Sequence, residues 1–293
     1  MPQTRKSASK PAPRWIVYTD LDGTLLDLHS YSFAESLAGV HALQRLKVPV
    51  IFTSSKTFTE QRHLQQQIGI DEPFIAENGS AVFIPQTYFD FSFPHTRRRD
   101  GFCVIELGIP APNIRRILHS IRDELSLSFT GFAEMSLQKL QKITGLDAAR
   151  ARDARHRDYS ETIIADLNAL DWQRFQEALQ RKGLICQPGS RFYTITSSQA
   201  DKGKAVQTLN ALFKQAFGTI RTVGIGDSSN DLPLFQAVDE AYLVQRPDGR
   251  WASIPLESIH RIEAIGPRGW LKVAESIVRR IHHSSHLDRR DDP

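Results

Sequence analysis

An apolar, β-rich run, Trp15-Ile16-Val17-Tyr18-Thr19, passes directly into Asp20-Leu21-Asp22-Gly23-Thr24. The run reads as a buried strand and the glycine turn as its exit loop. The same pattern recurs further along the chain. The spacing predicts a helix over 32–46, with Ala34, Leu37, Ala38, Leu43 and Leu46 sharing a face. A second strand over 48–52 ends at Thr53-Ser54-Ser55-Lys56, and a helix is predicted over 59–68. Two further strands, 74–76 and 81–84, flank Glu77-Asn78-Gly79, whose Asn-Gly suits a hairpin turn. Strands alternating with helices predict the α/β class, with a parallel sheet covered by helices.

After Pro85 the pattern changes. Residues 86–101 hold Pro94, several aromatics and Arg97-Arg98-Arg99, which reads as a solvated loop run. A strand over 102–107, a helix over 113–125, short helices over 136–144 and 147–155, and strands near 162–164 and 191–196 then suggest a separate α/β unit. The parallel pattern resumes near Lys202, with a helix over 203–217, strands over 222–226 and 241–244, and a closing helix over 270–281. The expected organisation is a basic, disordered tail over 1–13, a core built from 14–85 and 198–282, an insert over 86–197, and a loose tail over 283–293. A chain of 293 residues has room for two such units.

Composition narrows the function classes. Hydrophobic residues make up 40%, enough to bury a sizeable core, and no run approaches the roughly 20 apolar residues of a membrane span. The basic start has no apolar stretch behind it, so no secretory signal is expected. The net charge of +4 comes from Arg5, Lys6, Lys10 and Arg14, all before the first acidic residue. The rest is neutral, so no nucleic-acid partner is expected, and nothing in the sequence specifies an oligomeric state. Cys103 and Cys186 are too few and too far apart for a disulfide framework, which points to a reducing, cytoplasmic setting. The histidines near the C-terminus lack the acidic company of a metal site.

The chemistry sits at predicted strand ends. Ligands of an open parallel sheet bind beyond the C-terminal ends of its strands. Asp20 and Asp22 lie at the first exit and Ser54 at the second. Asp227 comes after 222–226, with Asp231 four residues on, and Lys202 opens the helix after the insert. Four carboxylates brought together repel one another, and a hard divalent cation, Mg²⁺, resolves this with oxygen ligands alone. Such a site accepts a phosphate dianion. One carboxylate can then attack phosphorus, and a second, two residues on, can protonate the leaving oxygen and later activate water. Lys202 supplies a fixed positive charge, and Ser54 a hydrogen bond to a phosphoryl oxygen.

Asp20–Thr24, Ser54, Lys202 in Asp-Lys-Gly-Lys-Ala, and Gly226-Asp227-Ser228-Ser229-Asn230-Asp231 together resemble the four motifs of the haloacid dehalogenase superfamily of phosphatases. The resemblance implies a Rossmann-like core with an inserted α/β cap, Asp20 as nucleophile and Asp22 as general acid/base. It also implies Mg²⁺ held by the Asp20 carboxylate, the Asp22 backbone carbonyl and Asp227, with Asp231 close by. Ser-Ser-Lys-Thr at 54–57, Phe-Ile-Ala-Glu-Asn-Gly at 74–79, Arg-Asp-Tyr-Ser-Glu at 157–161, Arg-Phe-Tyr at 191–193 and Gly-Pro-Arg-Gly-Trp at 266–270 are similar to the mannosyl-3-phosphoglycerate phosphatase family. One departure is Thr162, where that family's pattern leads to an expected proline. The implied substrate is a phosphorylated sugar-glycerate, and the implied product a compatible solute. Candidate contacts are Ser54, Ser55, Lys56, Asn78 and Asn230 on the core. On the cap, Arg157 and Arg191 suit anionic oxygens, and Ser160 and Glu161 suit ring hydroxyls. A glucosyl analogue, another sugar phosphate, or a phosphomutase or phosphotransferase would use the same core.

Overall fold

The computed structural model describes residues 12–188 and 192–288. The chain runs β1 (Arg14–Thr19), α1 (Leu37–Arg45), β2 (Val50–Thr53), α2 (Phe58–Ile68), β3 (Phe74–Ala76), β4 (Ala81–Pro85), β5 (Arg97–Arg99) and β6 (Phe102–Glu106). It continues through α3 (Ala111–Leu125), β7 (Phe129–Gly131), α4 (Leu137–Thr144), α5 (Ala148–Arg155), β8 (Ser160–Ala165), α6 (Ala169–Arg181), β9 (Leu184–Pro188) and β10 (Tyr193–Ser197). It ends with α7 (Lys202–Phe217), β11 (Ile220–Gly226), α8 (Leu232–Gln236), β12 (Glu240–Gln245), β13 (His260–Ile265) and α9 (Gly266–Asp288).

Strand side chains alternate between faces, and β1 feeds two apolar layers. Val17 packs with Val40 and Leu43 of α1 and Trp270 and Val273 of α9. Ile16 and Tyr18 pack with Val206, Leu209 and Phe213 of α7. Both faces are therefore buried, as the apolar run requires. The large sheet has the order β13-β12-β11-β1-β2-β3-β4-β6-β5. From β13 to β3 every pairing is parallel, and from β3 to β5 every pairing is antiparallel. The chain steps one way from β1 to β2 and β3, then returns on the other side of β1 through β11 and β12. That reversal opens a crevice at the C-terminal ends of β1 and β11.

The second sheet, β7-β8-β10-β9, is antiparallel. Ile163 and Ile195 pack beneath Ile114, Leu118 and Ile121 of α3 and Phe175 and Leu179 of α6. This unit rests on the large one through α5. Thr57 Oγ1 donates to the Asp153 carbonyl at 3.2 Å, and His63 Nδ1 lies 2.9 Å from Asp153 Oδ2. The α/β class and the inserted second sheet match the expectation.

The boundary at residue 86 does not match. Residues 86–106 extend the large sheet: β6 pairs with β4 along five residues and β5 pairs with β6. The triple arginine is an edge strand and not a solvated loop. Arg97 Nε reaches Glu106 Oε1 at 2.9 Å and its Nη2 reaches the Tyr159 hydroxyl at 2.7 Å, while Arg99 pairs with Asp158. Charge on an edge strand protects it from pairing with another chain, and that charge is what hid the strand. Helix α1 starts five residues later than predicted: residues 34–36 form a turn, and the Ser36 hydroxyl at its end donates to the Leu25 carbonyl at 2.8 Å. Strands β7, β9 and β13 have no counterpart among the elements expected from the spacing. Residues 283–288 continue α9 and are not a loose tail. Residues 1–11 and 289–293 lie outside the described residues.

Candidate active site

Asp20, Ser54 and Asp227 each come directly after a strand, β1, β2 and β11, so the parallel register sets them at one level of the crevice. Thr19 supports Asp20 from below: its hydroxyl donates to the Asp20 carbonyl at 2.6 Å and accepts from Trp270 Nε1 at 3.0 Å. Lys202 is the first residue of α7, whose start is set by Asp201 accepting from the Lys204 amide at 2.8 Å. The Lys202 ammonium is buried and lies 2.6 Å from both Asp20 Oδ1 and Asp231 Oδ1. The other Asp231 oxygen accepts from the amides of Asp227 and Ser228, each at 3.2 Å, which ties the loop after β11 to the ammonium.

Carboxylate oxygens of Asp20, Asp227 and Asp231 all lie within 4.8 Å of one another, and all three residues are buried. This is the only such cluster among the described residues. The loop after β1 must pass close to it. Gly23 has φ +80°, and a Cβ there would stand 2.9 Å from Asp227 Oδ2. Glycine serves both needs, the left-handed backbone and the missing side chain.

Three carboxylates around one ammonium leave an excess of negative charge in a water-poor site. Burial pushes the Asp227 carboxyl up to about 7, with Asp231 adding to the effect and Arg246 and Lys202 opposing it. Burial also raises Asp20 well above the usual carboxylate range, against the pull of Lys202 and with the help of Asp231 and Asp227. Burial works against the Lys202 ammonium, but Asp20 and Asp231 outweigh it and hold its pKa above that of an ordinary lysine. A cluster of oxygen donors carrying surplus negative charge suits a hard divalent cation.

Asp22 stands outside this trio. Its carboxylate lies 3.0 Å from Lys56 Nζ, and 30% of the side chain is exposed. Burial opposes the Lys56 charge, yet Asp22 and Glu60 overcome it and raise its pKa. The Ser54 hydroxyl is buried and accepts from the Lys56 amide at 3.3 Å. Asn78 donates its backbone amide to the Ser54 carbonyl at 2.9 Å, and its buried Oδ1 has no hydrogen-bond partner. Asn230 is exposed and accepts from the Ser228 hydroxyl at 2.6 Å.

The candidates on the second unit divide. Arg157 reaches down to the core, with Nη1 3.2 Å from the Ser55 carbonyl and 3.0 Å from Ser160 Oγ. Its buried Nε has no hydrogen-bond partner. Ser160 donates to Glu77. Glu161 is already engaged: Arg115 Nε holds Oε2, and the Ala133 amide donates to Oε1 at 3.1 Å. Its expected role toward ring hydroxyls therefore needs Arg115 to give way. Arg191 lies outside the described residues. Sequence reasoning missed Arg115 and Arg155, which line a cleft of about 360 Å³ with Ala133, His156 and Arg157. No local signal marks them, since each sits in a helix rich in arginines.

The family model described as haloacid dehalogenase-like hydrolase matches residues 17–97 and 113–247. The chain belongs to the haloacid dehalogenase-like hydrolase family. This hydrolase is 37% identical over 256 residues to a glucosyl-3-phosphoglycerate/mannosyl-3-phosphoglycerate phosphatase of Methanococcoides burtonii, covering 87% of this chain and 94% of that one. It is 35% identical over 231 residues to a mannosyl-3-phosphoglycerate phosphatase of Pyrococcus furiosus, covering 78% and 90%. Among solved structures, the sucrose-phosphatase of Synechocystis aligns with a TM-score of 0.56 at 15% identity, covering 90% of this chain and 98% of that one. At that identity the likeness speaks for the fold, a core sheet with an inserted cap.

Proposed function

We propose that this hydrolase is a Mg²⁺-dependent phosphomonoesterase that converts mannosyl-3-phosphoglycerate to mannosylglycerate and phosphate. The observation that carries the reading is the buried Asp20–Lys202–Asp231–Asp227 cluster at the mouth of the crevice. The Asp20 carboxylate attacks phosphorus, the P–O bond to the glycerate breaks, and Asp22 gives its proton to the departing oxygen. Asp22 then takes a proton from water as that water attacks the aspartyl-phosphate, which frees phosphate and restores Asp20. Lys202 holds Asp20 in place throughout, and Ser54 donates to a phosphoryl oxygen. The carboxylates of Asp20, Asp227 and Asp231, with the Asp22 carbonyl, would hold Mg²⁺, which supplies charge neutralisation for the phosphate. The Lys56 ammonium lies 3.0 Å from the Asp22 carboxylate, so an anionic group of the substrate would draw Lys56 away and free Asp22 to serve the departing oxygen.

The substrate assignment rests on the relatives' names and on the cationic wall of Arg115, Arg155 and Arg157, which suits a carboxylate beside a sugar. The dual name of the Methanococcoides relative favours the glucosyl ester as a second substrate. No helix among the described residues is long and apolar enough to cross a membrane. We assign the reaction to the cytoplasm, where Cys103 and Cys186, both free, would stay reduced.

The test is phosphate release across glycosyl-3-phosphoglycerates and hexose phosphates, with and without Mg²⁺. The expected result is a clear preference for the mannosyl or glucosyl ester that is lost on chelation. A flat profile would overturn the substrate, and phosphate appearing on an added sugar would assign a phosphotransferase instead.

The cluster also predicts a pH effect on stability. Asp227 has its carboxyl raised from 3.8 to about 7 in the fold. The native state then binds more protons than the unfolded one, so stability is highest below the ordinary value and falls as pH rises through the raised one. The loss is at most about 4 kcal/mol. Melting in EDTA should drop between pH 4 and 7, and added Mg²⁺ should restore more at pH 8 than at pH 5. A Mg²⁺ effect independent of pH would contradict the charge argument.

A further inference from the structure

Glu77 is fully buried in the core and meets both the Ser54 loop and the cap. Its own amide donates to the Lys56 carbonyl at 3.1 Å, next to the Asn78 amide on the Ser54 carbonyl. Two more residues along, Gly79 sits so close to α7 that a Cβ would stand 2.1 Å from the Asp201 carbonyl and 2.6 Å from the Lys202 amide. The turn over 77–79 thus touches the loop of the phosphoryl-binding hydroxyl and the start of the helix that carries the cluster's ammonium. The Glu77 carboxylate points the other way. It accepts from the Asp158 amide at 2.8 Å, from the Tyr159 amide at 3.1 Å, and from the Ser160 hydroxyl. Arg157, which adjoins those donors, spans back to the Ser55 carbonyl.

The backbone pays for this arrangement. Glu77 and Asn78 are consecutive non-glycine residues with φ of +50° and +59°. Left-handed φ is costly for such residues and persists where the surroundings over-determine it. A plain hairpin could use glycine or asparagine at both positions; a carboxylate is needed here because three donors of the cap converge on it.

We propose that Glu77 is a positioning residue that locks the cap segment Arg157–Ser160 in register with the Ser54–Lys56 loop, so that filling the cap and aligning the phosphate over Asp20 are one event. The proposal rests on reading the Ser54 loop as the phosphoryl-binding element. It makes Glu77 matter for substrates that fill the cap and not for small esters that reach Asp20 without it.

Glu77→Gln keeps the shape of the side chain but turns one of its two acceptors into a donor facing cap donors. On mannosyl-3-phosphoglycerate, kcat/KM should fall about 30-fold, mostly in kcat, because misplacement by a fraction of an ångström is enough. On p-nitrophenyl phosphate the rate should stay within about 3-fold of the parent, since that ester leaves the cap empty. Arg99→Met loosens the same segment from the edge strand by removing the Arg99–Asp158 pair. It should shift the two substrates the same way and to a smaller extent, and it carries the test if Glu77→Gln does not fold. Equal losses on both substrates, or no loss on either, would overturn the proposal. If the parent itself prefers another sugar phosphate, the substrate reading fails on the parent alone. The split is then read on that preferred ester.

Discussion

Asp20→Asn is expected to lose phosphate release by roughly 10⁴-fold or more while melting within a few degrees of the parent. An amide has no anionic oxygen to offer to phosphorus, and nothing else in the cluster can replace it. Asp231 is turned into its own loop by two backbone amides. Asp227 lies between Thr24 Oγ1 at 3.5 Å and Arg246 Nε at 3.8 Å. The fold should tolerate the change because two effects oppose each other. Lys202 loses the Asp20 charge and keeps Asp231, while the remaining carboxylates lose one like-charged neighbour. Phosphate assay and thermal melts of one preparation check both halves. Normal turnover would remove Asp20 from the chemistry, and an unfolded protein would make it a structural residue first.

Lys202→Met should be the most destabilising change in the site. The ammonium is 2% exposed and serves two carboxylates at 2.6 Å. Methionine matches its length and supplies no charge, so the buried carboxylates face one another without compensation. Breaking a buried pair from one side costs about 3–5 kcal/mol. In EDTA the variant should melt well below the parent. Mg²⁺ should return part of that loss, because a bound cation relieves the same repulsion. Turnover should not return with it: loss of an aligned charge at the reacting group costs about 10²–10³-fold. A variant as stable as the parent in EDTA would mean that protons already neutralise the cluster. Asp20→Asn and Lys202→Met therefore separate chemistry from electrostatic support.

The short motifs were legible because each belongs to a single strand end. Asp20 caps the apolar run of β1, Ser54 comes after β2, and Asp227 after β11. Strands of a parallel sheet point the same way, so their exit loops share one edge whatever lies between them in sequence. The core helices expected over 59–68 and 203–217 form as α2 and α7, each starting one residue earlier on a local cap that the spacing did not reveal, Thr57 with Glu60 and Asp201. The edge strand β5 was not legible, since three arginines in a row give no alternation of apolar and polar residues. Nor was the pairing of Asp22 with Lys56, or that of Glu161 with Arg115, because separations of 34 and 46 residues carry no periodic signal.

The sequence by itself placed Asp20, Asp22, Asp227, Asp231 and Ser54 at one rim of a parallel sheet, since strand direction and turn placement are local properties. Only the tertiary structure decided which acidic residues form the buried trio, that Lys202 bridges two of them, and that Glu77 joins the core to the cap. Those outcomes depend on side-chain directions and on contacts 29 to 182 residues apart. Burial then sets the electrostatics, because a carboxylate's behaviour is governed by how much water and how many charges surround it.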